Sequence, residues 1–71
     1  MRKRSLTLNG HRTSLALEPE FWDALDRAAE EEGLSLAGLV ASIDEARLAR
    51  PDQALSSAVR VYLLNRAQRR P

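Results

Sequence analysis

The stretch "LTLNGHRTSLAL", residues 6–17, constrains the fold more than any other part of the chain. Asn-Gly flanked by alternating apolar residues is the strongest short hairpin signal, because both turn residues tolerate positive φ. A two-residue turn at Asn9-Gly10 sets Leu8 opposite His11 and Leu6 opposite Thr13. Leu6, Leu8, Thr13, Leu15 and Leu17 then share one face, and Arg12, Ser14 and Ala16 point the other way. The better strand spans about 11–17, and residues 4–8 are a weaker first arm. An isolated hairpin is marginal in water, so its apolar face needs cover from the rest of the chain.

That cover is helical. Pro19 suits a first helical turn, where its missing N–H costs nothing. Phe21, Trp22, Leu25, Ala28 and Ala29 follow one amphipathic stripe, and Gly33 stops it. This predicts a helix over about 19–32. Ser35 is a ready N-cap for a second helix over about 35–48, with Leu36, Leu39, Val40 and Ile43 as its stripe. "ARPDQ" breaks the chain, since Pro51 disfavours helix just before it. A third helix is expected over about 53–68. Leu55, Ala58, Val59, Tyr62 and Leu63 form one face, and Val61, Leu64 and Ala67 widen its apolar arc. So wide an arc calls for burial on more than one side.

The chain has 71 residues and is read as one small domain, 1–71. A core of this size is marginal without disulfides, a metal or oligomerisation. There is no cysteine, and the single His11 beside scattered carboxylates makes no ligand set, so no metal and no cofactor is expected. Oligomerisation is the device that remains. No apolar run approaches the ~20 residues of a membrane span. No continuous apolar stretch follows the basic start "MRKRSLTLNG", so no secretory signal is expected and the location is read as cytoplasmic.

No catalytic residue is assigned and no enzyme is expected. His11 beside a turn reads as a surface residue. The "EEE" at 30–32 reads as a solvated face, although it stands at a helix C-terminus, where the dipole disfavours it. Glycines at 10, 33 and 38 match no phosphate-loop spacing.

Recognition is a better reading. The net charge of +1 hides segregation: Arg2, Lys3, Arg4 and Arg12 lie before residue 18 with no acid among them, and seven acids follow over 18–34. A two-stranded β-ribbon fits the major groove of B-DNA, where each base pair shows its own donor and acceptor pattern. Arg12 can fork to guanine, and Ser14 can contact several bases. Ala16 can touch only a thymine methyl. Ser35 and Leu36 at a helix start, and the basic arm Arg2-Lys3-Arg4, suit phosphate. Two pairings stay open to the strand, its own copy across a two-fold axis and residues 4–8 of the same chain.

Strand, proline-containing acidic junction, amphipathic helix, "EEEGLSLAGLVASI" and second helix together resemble the ribbon-helix-helix DNA-binding family of bacteria and their phages. Gly33-Leu34-Ser35 matches that family's Gly-x-Ser/Thr step, and the likeness covers roughly residues 11–47. A longer likeness, "RSLTLNGHRTSLALEPEFWDALDRAAEEEG" with "LSSAVRVYLL", is to a bacterial subgroup of ribbon-helix-helix domain proteins. The resemblance implies a mainly α fold with a short N-terminal β-ribbon, and an intertwined homodimer. It implies a dimer core of Leu15, Leu17, Phe21, Trp22, Leu25, Leu39, Val40 and Ile43. It also implies a repressor or autoregulator whose partner is double-stranded DNA, or an antitoxin-like module whose partner is another protein. Three features depart from the plain pattern: Ala16, the hairpin arm, and the third helix.

Overall fold

A computed structural model describes residues 1–69. Strand β1 (Arg2–Leu8) and strand β2 (His11–Leu17) form an antiparallel hairpin. Three helices follow: α1 (Pro19–Glu32), α2 (Leu36–Ala46) and α3 (Leu55–Arg69). The pairing runs from Leu8 opposite His11 to Arg2 opposite Leu17, so the first arm begins two residues earlier than the alternation predicts. Asn9 at φ 51° and Gly10 at φ 83° make the turn. Two positive φ values define the type I′ turn, whose twist matches that of the flanking strands.

Each helix starts and stops for a local reason. The Glu18 carbonyl accepts from the amides of Phe21 and Trp22 at 3.0 and 3.1 Å, and Pro19 fills the first turn. Gly33 at φ 69° ends α1, with Leu34 N donating to Ala29 O and Gly33 N donating to Glu30 O. That paired closure satisfies carbonyls the helix end would leave bare. Ser35 caps α2, its Oγ accepting from Gly38 N at 3.0 Å.

The second helix is shorter than its sequence pattern implies. After Ala46 the chain tightens into a 3₁₀ turn, Arg47–Ala49. Arg47 donates from Nε to Asp44 Oδ1 at 2.9 Å and from Nη1 to Gln53 O at 2.8 Å. These bonds draw the chain around Pro51 and delay the third helix to Leu55. Arg50 leaves the helical region (φ −139°, ψ 69°), as a residue before proline must.

The core draws on every strand and helix. Leu8, Leu15 and Leu17 of the hairpin meet Trp22, Leu25, Ala28 and Ala29 of α1. Leu39, Val40 and Ile43 of α2 and Ala58, Val59 and Leu63 of α3 complete it. The apolar face of the hairpin, marginal alone, is thereby covered within one chain. No helix among the described residues is long and apolar enough to cross a membrane.

Candidate nucleic-acid interface

The register assigns each ribbon residue to a face. Even-numbered residues of β1 and odd-numbered residues of β2 face the helices. The opposite face presents three cross-strand pairs: Thr7 with Arg12, Ser5 with Ser14, and Lys3 with Ala16. Five of these six side chains are exposed, and Ala16 is half-buried. The face carries two cations, three hydroxyls and no carboxylate. Such a surface can donate hydrogen bonds to base edges or phosphates and meets no electrostatic penalty from a polyanion.

The basic N-terminal arm divides by the same rule. Lys3 is on the outward face. Arg2 and Arg4 are on the helix-facing side. The Arg2 side chain is exposed, and its carbonyl accepts the Trp22 indole N–H at 2.9 Å. The Arg4 guanidinium lies 4.4 Å from the Trp22 ring centroid and reaches Asp26 Oδ1 at 3.2 Å. Arg4, assigned to DNA backbone from sequence, therefore spends its charge within the chain. The pattern of alternation already placed Arg4 inward; what it lacked was Asp26 and Trp22 on the same side.

Ser35 and Leu36 divide similarly. The Ser35 hydroxyl is engaged with Gly38 N, while Leu36 is half-buried against the core. Of the residues assigned to a dimer core, Leu15, Leu17, Trp22, Leu25, Leu39, Val40 and Ile43 are buried within this one chain. Phe21 is half-buried, with the Arg60 guanidinium 5.5 Å above its ring.

Two arginines of α3 organise the acidic helix. Arg60 donates to Glu18 Oε1 at 2.8 Å. That bond holds the Glu18 carboxyl below its ordinary range, with the Glu18 backbone amide adding to the effect. Arg66 donates to Glu31 Oε1 at 2.6 Å and to Glu32 Oε2 at 2.7 Å, which raises its own pKa. The "EEE" triplet thus has a physical account: its unfavourable helix-end charge is met by a cation brought from a helix over 30 residues away. Arg69, at the end of α3, is exposed, and Arg70 lies outside the described residues.

The outer side of α3 is different in kind. Val61 and Leu64 are 41% and 56% exposed. With Phe21, Ala24, Leu63 and Ala67 they border an apolar groove of about 410 Å³ between α1 and α3, with Glu20 and Arg60 at its margin.

An N-terminal antiparallel ribbon, an α-helix closed by a Gly-x-Ser step and a second helix are the parts of one known architecture. The chain belongs to the ribbon-helix-helix domain family, whose model matches residues 1–67. Members of that family are typically DNA-binding regulators and generally act as homodimers rather than enzymes. No curated protein and no solved structure matches the chain.

Proposed function

We propose that this chain is a sequence-specific DNA-binding transcription regulator, a repressor or autoregulator, that works as a homodimer and places its ribbon in the major groove. The observation that carries the reading is the outward face of the hairpin, rich in donors and free of carboxylates. Arg12 is the base-reading residue of first importance, because a guanidinium can fork to guanine O6 and N7. Ser14 adds an adaptable hydroxyl and Ala16 a methyl contact. Lys3, Arg2 and the start of α2 at Ser35-Leu36 take phosphate.

The test is a fluorescence anisotropy titration of the protein against the region upstream of its own gene, over a series of salt concentrations. Affinity should fall linearly on a log–log plot, with a slope of about 0.9 per phosphate neutralised. Arg12→Ala should cost about tenfold or more in affinity. If Arg12→Ala binds as the wild type does, the ribbon is not the reader.

The apolar groove beside Val61 and Leu64 favours a second reading, a protein-interaction or antitoxin-like module with little DNA affinity. Recovery of one stoichiometric protein partner, with no duplex binding at ~0.1 M salt, would favour that reading, since phosphate contacts are not fully screened there.

A further inference from the structure

We infer that the groove between α1 and α3 is a contact between two copies of this chain, anchored by Val61 and Leu64 and oriented by Glu20 and Arg27. The inference deepens the homodimer reading above by naming a face that joins copies, and it draws nothing from the ribbon.

Helix α3 is apolar on two sides. Ala58, Val59 and Leu63 are spent on the core of their own chain. Val61 and Leu64, neighbours at i and i+3, stay exposed and line the groove together with the half-buried Phe21. Other exposed large apolar side chains, Met1, Leu34 and Leu48, belong to the N-terminus, the α1–α2 junction and the 3₁₀ turn, and none of them borders this groove. Val61, Leu64 and Phe21 therefore form a joined patch rather than scattered single residues. A chain of 71 residues has little else with which to cover it, and an apolar arc of this width calls for a second body.

The charges at the rim choose that body. Arg60 at the margin is already met by Glu18. Glu20 at the same margin is exposed and in no ion pair among the described residues. A second hollow adjoins the groove and shares Ala24, Leu63 and Ala67 with it; Arg27 stands on its edge, equally exposed and equally without an ion pair. The continuous surface thus has a free acid toward one end and a free base toward the other. A two-fold contact satisfies such a pattern with itself, because each copy presents the same patch in the opposite sense. A rim of one sign would instead call for a foreign partner.

Ala24 makes the pairing geometric. On α1 it lies about 6 Å along the axis from Glu20 and about 4.5 Å from Arg27. With the two α1 helices antiparallel across Ala24, Glu20 of each copy comes opposite Arg27 of the other, twice over. The small Ala24 side chain lets the axes approach toward the short end of the usual 8–10 Å range, about 8 Å. The arrangement sets Val61 and Leu64 of each copy against the groove of the other. Exposed ion pairs add little affinity, so the apolar anchors supply the binding and the charges fix its direction by penalising like-charge alignments.

Sedimentation equilibrium of the full chain tests this. Leu64→Glu should halve the mass of the wild-type assembly and raise the dissociation constant of this contact about 30-fold or more. Glu20→Arg and Arg27→Glu should each weaken it about tenfold, and the double variant Glu20→Arg/Arg27→Glu should return to within about threefold of wild type. Circular dichroism checks that each variant is folded; should Leu64→Glu unfold, the charge variants, both at exposed positions, carry the test. A mass unchanged in Leu64→Glu and in both single charge variants overturns the inference, while the homodimer reading stands on another face. A double charge variant no tighter than the single ones overturns it too. So does a different protein held at the groove and released by Leu64→Glu while the mass of the chain alone stays the same. If the wild type is a single copy at every concentration, the homodimer reading and this inference fall together.

Discussion

Replacing Trp22 with Phe probes what fastens the ribbon to the helices. Trp22→Phe removes the indole N–H that donates to the Arg2 carbonyl at 2.9 Å, a bond whose loss costs about 1 kcal/mol. The smaller ring leaves about 40 Å³ unfilled, and at ~24 cal/mol per Å³ that adds about 1 kcal/mol. A weaker cation–π contact with Arg4, 4.4 Å from the ring centroid, contributes about 0.5 kcal/mol more. The sum is about 2–3 kcal/mol, or a fall of roughly 10–20 °C in Tm for a chain of this size. Urea unfolding followed by circular dichroism measures the first quantity. Trp22 is the only tryptophan, so its fluorescence cannot report on the variant. Amide hydrogen exchange locates the effect: protection should drop more in β1 than in α2, because the hydrogen bond lost is the one holding β1. A destabilisation below about 0.5 kcal/mol, or exchange that rises equally everywhere, would refute this account of how the hairpin is held.

Three further outcomes follow from local geometry. Gly38→Ala should gain little, because its Cβ would lie 3.0 Å from the Ser35 Oγ that caps α2; in a Ser35→Ala background the same change should stabilise by about 1 kcal/mol, and denaturant midpoints of the four proteins test this coupling. Glu18 has its pKa lowered in the folded state, so its contribution is present above the unfolded value near 4.5 and is lost as pH falls through the folded one; Glu18→Gln should flatten the acid side of a Tm–pH profile. Arg66→Met should destabilise the protein at low salt and less so in 1 M NaCl, since it leaves Glu31 and Glu32 at the end of α1 without the α3 cation.

The local parts of the fold were legible because local chemistry produces them. Alternation and Asn9-Gly10 specify the turn, the register and the faces of both strands. Pro19, Gly33 and Ser35 mark helix ends through the hydrogen bonds their backbones or side chains can and cannot make. The second helix stops short of the span its apolar pattern predicts because Arg47 closes the turn with side-chain bonds to Asp44 and Gln53, which no propensity encodes. The candidate interface was half legible. Alternation alone places Arg12, Ser14 and Ala16 on the outward face, whereas Lys3, Ser5 and Thr7 join that face only through the pairing of β1 along its whole length with β2.

By itself, then, the sequence determined which residues of each strand share a face and where the chain turns, since these depend on neighbours within a few positions. Only the tertiary structure decided the fate of the charges. Arg4 reaches Asp26 across 22 positions, Arg60 reaches Glu18 across 42, and Arg66 reaches Glu31 across 35. Whether a cation serves a ligand or a carboxylate of its own chain depends on how the hairpin and helices dock, and docking is set by the buried apolar faces rather than by the charges themselves.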